Sequence, residues 1–225
     1  MRQWLKFGVI GFGTLVGPLD SAVNIAFPDI TSDLGIPLQS IQWVVICYVL
    51  TYASLLLVFG RLGDLFGHQR VFRFGLALSV VAFLFCGWAP ELEWLLVARI
   101  LQGVGTAMVI SCGPALATGL FDEAMRPRML GAYTVVFGLG AAIGPSLGGL
   151  LVETWGWPAV FWFRAPIAAT VLVLSFFLHM PVRERAAGAF DFMGAVLLVL
   201  SLALLLFLLS QLRGTGLSVT ALSLL

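Results

Sequence analysis

Charge is the scarcest property of this chain. Only 10% of its 225 residues are Asp, Glu, Lys or Arg, against 60% that are hydrophobic, and the mean hydropathy is +1.06. A water-soluble domain carries about 25% charged residues, so a chain this apolar has no means of covering its own surface in water. Basic and acidic residues, 12 and 11, nearly cancel. No basic face with interleaved aromatics is present, which argues against nucleic acid as a partner. The two histidines, His68 and His179, stand near the ends of apolar runs without metal-ligand spacing. Cys47, Cys86 and Cys112 lie inside such runs with no CxxC pattern, and read as small membrane hydrophobes rather than a disulfide framework. HExxH, nucleophile-elbow and Walker signatures are all missing, and GVGTAM at 103–108 breaks the dinucleotide fingerprint. The expectation is therefore no enzyme, no metal and no cofactor. A cleavable signal is not evident either, because the first apolar run is long and lacks a cleavage site.

What the chain has in abundance is membrane-length apolar sequence. A helical span needs about 20 mostly apolar residues. Seven windows qualify, at 7–29, 39–60, 72–90, 94–120, 129–153, 157–179 and 191–212. An eighth apolar stretch begins at Ser218. Basic residues fall on one side of these spans: Arg2, Lys6, Arg61, Arg70, Arg73, Arg126, Arg128, Arg183 and Arg185. Alternate loops hold Asp29, Asp33, Glu91, Glu93 and Glu153, with no Lys or Arg before Arg213. By the positive-inside rule the N-terminus is cytoplasmic, in a multi-pass cell-membrane protein surrounded by lipid.

Between the second and third windows lies GRLGDLFGHQR at 60–70, a polar, glycine-punctuated stretch expected to form a short hairpin at a membrane face. Shifted by 89 positions, 60–74 aligns with GLLVETWGWPAVFWF at 149–163. Gly60 meets Gly149, Asp64 meets Glu153, Gly67 meets Gly156, and Val71 and Phe72 meet Val160 and Phe161. Three spans separate the two stretches, so they fall on opposite faces. That is the pattern of a 3+3 inverted repeat, a unit from which secondary transporters are built; chance similarity between Gly- and Phe-rich segments is the alternative.

Four blocks extend this. GRLGDLFGHQR (60–70), LDSAVNIAFPDI (19–30), RILQGVGTA (99–107) and GLGAAIGPSLGG (138–149) appear in order, and a short link leads to FDFMG (190–194). On these motifs the chain resembles the major facilitator superfamily, specifically its fourteen-helix drug:proton antiporter branch. It departs from the pattern at Leu65, His68 and Gln69, where basic residues are usual, and in the sixth span, where many relatives carry an Asn before the proline and this chain reads Phe163, Arg164, Ala165, Pro166. The resemblance implies an all-α polytopic membrane protein with the N-terminal six-helix bundle in residues 1–180. Residues 181–225 would then hold a cytoplasmic link, a seventh helix and the start of a truncated eighth. It also implies proton-coupled antiport or efflux of small, amphipathic or drug-like compounds, with protons and such a molecule as partners. The family needs two halves. The other expectation is accordingly an incomplete transporter half, one that lacks independent transport and represents a partial sequence or assembles with a C-terminal half or a second copy.

Asp20 is the most informative single residue. It lies about 13 residues into the first span, roughly 20 Å from its start. A carboxylate at that depth faces a cavity or a partner, and intramembrane acids mark ion pathways; a structural polar contact between helices is the alternative. Asn24, four residues on, is expected on the same helical face. Arg99 and Arg164 enter the fourth and sixth spans from the opposite side, to roughly 8 Å. Depth alone places them with Asp20 in one proton-coupling or substrate cavity, extended by Gln102 one turn from Arg99. Snorkelling to the interface is the alternative for both arginines. In the 60–70 stretch, Gly60, Asp64, Gly67 and Arg70 are the gating candidates. Asp64 is expected near a helix N-terminus and opposite Arg126 or Arg128, against the alternative of a solvated surface charge. Gly140, Gly144, Pro145, Gly148 and Gly149 mark the fifth span as a close-packed, bent antiporter helix. Tyr48 and Tyr52 either line the cavity or pack on neighbouring helices or lipid.

Overall fold

Backbone N–H and C=O groups have no water partners in a bilayer, so apolar runs of this length close their hydrogen bonds internally as helices. The computed structural model describes residues 2–177 and 191–214. Nine α-helices are found among the described residues: α1 (Arg2–Thr14), α2 (Phe27–Asp33), α3 (Gln42–Phe66), α4 (His68–Gly87), α5 (Leu92–Thr118), α6 (Arg126–Trp155), α7 (Ala159–Trp162), α8 (Arg164–Phe177) and α9 (Phe192–Gly214). Among the described residues, six stretches are long and apolar enough to cross a membrane: Gln3–Asp33, Leu38–Phe66, His68–Gly87, Leu92–Thr118, Glu123–Trp155 and Ala159–Phe177. They correspond to the first six windows. The seventh window is α9, which packs along α3. The link at 178–190, with His179, Arg183 and Arg185, and the eighth stretch from Ser218 lie outside the described residues.

The first span is not the uniform helix expected over 7–29. α1 ends at Thr14, residues Pro18–Ala26 form a 3-10 helix of 9 residues, and α2 completes the crossing. Pro18 explains the change. It has no N–H to return to the Thr14 carbonyl, and that carbonyl is taken instead by Gly17 N–H at 3.3 Å, an i to i+3 bond.

The polar 60–70 stretch is not a hairpin loop either. α3 runs to Phe66 and α4 starts at His68, leaving Gly67 as the whole connection. Gly67 has φ +100°, open to glycine and strained for other residues, and its N–H closes on the Gly63 carbonyl at 2.9 Å. Gly156, its counterpart in the repeat, has φ +77° and closes on the Val152 carbonyl at 2.9 Å. The two halves of the repeat thus share a positive-φ glycine just past a helix end, at opposite ends of the bundle; Gly67 is the whole connection, whereas Gly156 is followed by Trp157 and Pro158 before α7 begins.

α6 makes its largest packing contact with the 3-10 segment. Gly140, Gly144 and Gly148 form the contact face. A Cβ at Gly148 would stand 2.7 Å from the Ala22 carbonyl oxygen, and one at Gly140 2.9 Å from Leu15. The Ser21 hydroxyl lies 3.1 Å from the Ala141 carbonyl and 3.0 Å from that of Pro18. Small residues let the backbones approach this closely, and dispersion contact plus an interhelical hydrogen bond hold them. Gly149 is off this face, about van der Waals distance from Ile25. α6 continues through Pro145, which is half-buried.

Two apolar clusters fill the interior. One, toward the Gly67 end, contains Ile10, Phe72, Phe83, Leu116 and Val171. The other, toward the Gly156 end, contains Ile30, Val44, Cys86, Leu95 and Phe161. The side chains that carry charge into the bundle lie between them.

Candidate functional site

Asp20 projects from the 3-10 segment into the space between α5 and the start of α8. Arg99 of α5 grips its carboxylate with both terminal nitrogens, Nη1 to Oδ1 at 2.6 Å and Nη2 to Oδ2 at 2.7 Å. Arg164, the first residue of α8, donates from Nη1 to Oδ1 at 2.7 Å. Gln102, one turn along α5 from Arg99, donates from Nε2 to Oδ1 at 2.8 Å and accepts from Arg99 Nη1 at 2.8 Å. Arg99, Gln102 and Arg164 are fully buried, and the Asp20 side chain is 13% exposed. The two arginines are therefore not snorkelling; they turn inward to the acid.

The surroundings are built to tolerate those charges. Arg99 also donates from Nε to the Val44 carbonyl at 2.8 Å and stacks on Tyr48, ring centroid 4.2 Å from Cζ. Arg164 donates from Nε to the α7 carbonyl of Val160 at 3.0 Å and lies 4.6 Å from the Phe83 ring. Phe161 faces both guanidiniums, at 5.9 Å and 5.4 Å. Aromatic faces supply partial negative charge that a dry apolar wall would not. The Cys86 thiol sits 3.8 Å from Gln102 Oε1. Formally, two guanidiniums and one carboxylate leave the cluster at +1. Arg164 Nη2 is buried with no hydrogen-bond partner among the described residues.

Other expected site residues lie elsewhere. Asn24 is exposed rather than beside Asp20. A 3-10 helix repeats every three residues, so Val23, not Asn24, stacks on Asp20. Asp64 occupies the last turn of α3, a helix C-terminus rather than an N-terminus, and its ion-pair partner is His68 at 3.4 Å. No pair joins Asp64 to Arg126 or Arg128 among the described residues; Arg126 pairs with Glu123 at 3.3 Å. Gly60 and Arg70 lie on α3 and α4, with open space where a Gly60 Cβ would be. Tyr48 belongs to the cluster, whereas Tyr52 packs on Tyr48 at 5.6 Å. The roles of Phe161 and the Val44 carbonyl were not legible, and for Tyr48 lining the cavity was one of two open readings. One signal existed: Val44 and Tyr48 are four apart on α3, hence on one face. No group of three metal-ligating side chains occurs among the described residues.

This architecture is found in known proteins. A bacterial homologue of the human lysosomal transporter Spinster, inward-facing and unoccupied, superposes with TM-score 0.70 over 86% of this chain and 47% of that one, at 15% identity, a likeness of fold alone. By sequence, the chain is 31% identical over 218 residues to the riboflavin transporter RibZ of Clostridioides difficile, covering 96% of this chain and 48% of that protein. It is 35% identical over 208 residues to the multidrug resistance protein Stp of Mycobacterium tuberculosis, covering 91% of this chain and 38% of that protein. The chain thus spans less than half the length of these curated relatives. A family model described as the Major Facilitator Superfamily matches residues 10–225, nearly the whole chain, and on that match the chain belongs to the Major Facilitator Superfamily.

Proposed function

We propose that this chain forms the N-terminal half of a secondary active exporter of small molecules, driven by protons that act at Asp20. The observation that carries this reading is the carboxylate itself: one acid, deep in the bundle, ties the first span to α5 and α8 through three donors. Hydrogen bonds to charged groups are worth about 1.5–3 kcal/mol each. A proton on Asp20 removes the charge that all three donors share, and the first span is then released from α5 and α8. The site is a switch between two helix arrangements, as alternating access requires. Membership of a family of transporters supports transport over catalysis, and the functions by which the relatives are named, riboflavin transport and multidrug resistance, support a small-molecule substrate.

Residues 1–180 act as the six-helix half, with α9 as an added helix beyond it, and the N-terminus faces the cytoplasm. The Asp64–His68 end of α3 and α4, with Gly60, Gly67 and Arg70, gates the cytoplasmic side, and the α6 glycine face slides on the 3-10 segment. A C-terminal half completes the substrate path. A second reading has that half supplied by a separate polypeptide or by another copy of this chain. Such a partner would meet the apolar face α6 leaves open, with Val135, Leu139, Ile143 and Leu150 exposed.

The test is proteoliposome flux of a panel of anionic, neutral and cationic dyes under an imposed pH gradient, with the protein as its gene encodes it. Asp20→Asn is expected to abolish the response of flux to the gradient. Flux that follows the gradient unchanged in that variant would remove Asp20 from the coupling.

A further inference from the structure

The proton reading leaves one property of the site unused: its positive charge is in excess. Two guanidiniums converge on one carboxylate. The other described acids, such as Asp33, Asp64, Glu91 and Glu153, stand at or near span ends, so no second acid balances the pair within the bundle. Charges buried without a counter-charge are costly, and a buried donor left unpaired adds to that cost. Arg164 Nη2 is such a donor, on a side chain with no exposed surface.

The two arginines also differ in how firmly they are held. Arg99 is fixed by both carboxylate oxygens, by the Val44 carbonyl and by Gln102. Arg164 reaches Asp20 through Nη1 alone, and its other bond is to the preceding turn. Exchange of a single bond frees its outer nitrogens while Arg99 keeps Asp20 paired. Asp20 is the partly exposed member among these four polar side chains, so the way in to the cluster lies on its side.

We infer that this cluster recognises an acidic group on the transported molecule, a carboxylate or similar monoanion, and that Arg164 is the residue that sets the preference. The anion accepts from Arg164 Nη1 and Nη2 in the forked geometry that guanidinium offers a carboxylate. Asp20 stays on Arg99, and the formal charge of the site falls from +1 to zero. The inference rests on the transport reading and names the substrate class of the same site.

Benzoate, benzamide and benzylammonium share a ring and differ in charge, and serve as probes. The readout is the concentration dependence of melting temperature of the purified protein in lipid nanodiscs. Benzoate is expected to stabilise saturably, and the neutral and cationic probes not to. Arg164→Gln should weaken benzoate binding by about tenfold or more, and Arg164→Lys should keep the order of the three probes. Equal binding of all three by the unaltered protein, no binding of benzoate, or full benzoate affinity in Arg164→Gln would each overturn the inference. The three-probe comparison on the unaltered protein decides the matter even if Arg164→Gln does not fold. Because this reads binding, a protein that binds benzoate yet moves nothing across a membrane overturns the transport reading instead.

Discussion

Arg99 and Arg164 touch the same carboxylate oxygen, yet substitution should separate them. Arg99 uses its planar fork, its Nε bond to Val44 and its stacking on Tyr48 together. A lysine offers a point charge without the fork. Arg99→Lys is therefore expected to destabilise the protein by about 2 kcal/mol, less than the roughly 3–5 kcal/mol of removing a buried partner outright, as read by denaturant unfolding in lipid or detergent. Arg164→Lys should cost less, since one bond to Asp20 is at stake. That Asp20, Arg99 and Arg164 come to similar heights was readable from depth, because rise per residue in a membrane helix converts sequence position to height, and Gln102 followed from its place one turn from Arg99; depth left snorkelling open as the alternative. Rotation about the axis was not readable in the same way. Asn24 follows from a 3.6-residue period that this segment does not have, and it points away. Asp64 was placed on the wrong side of a turn only one residue long.

The glycines of the elements are not interchangeable, and the motifs that contain them do not show which matter. Gly144 is buried against Ser21 and Ala22, so Gly144→Val would force α6 off the 3-10 segment. Loss of such a contact should lower the melting temperature and leave protein that is readily cleaved by protease. A Cβ added at Gly60 would meet nothing within 4 Å. Gly60→Ala should be neutral or stabilising by up to about 1 kcal/mol through helix propensity. Hydropathy located the spans to within a few residues, since length and apolarity are what the bilayer selects. It did not show that the first crossing changes its hydrogen-bond pattern at Pro18, because the apolar content continues through the break. The helix-ending glycines Gly67 and Gly156 were half-visible: the repeat aligned the two residues, and only the backbone angles reveal what they share.

Across the molecule, the charge asymmetry of the loops makes a topological prediction. In a background without the native cysteines, Glu91→Cys should react with a membrane-impermeant maleimide added outside intact cells, and Lys6→Cys should react only after permeabilisation. The reverse pattern would invert the orientation. The faces of α3 and α6 that carry Leu57, Leu139 and Leu150 leave these side chains exposed among the described residues, as apolar surfaces suited to lipid. The segment Pro18–Ala26 would serve the bundle as a strut whose length depends on its helical pitch. As a 3-10 helix its 9 residues span roughly 18 Å; wound as α-helix they would span roughly 13.5 Å. A change of pitch there would draw α1 and α2 together by roughly 4.5 Å. It would also turn Asp20 relative to Arg99 and carry α6, which rests on that segment, along with it.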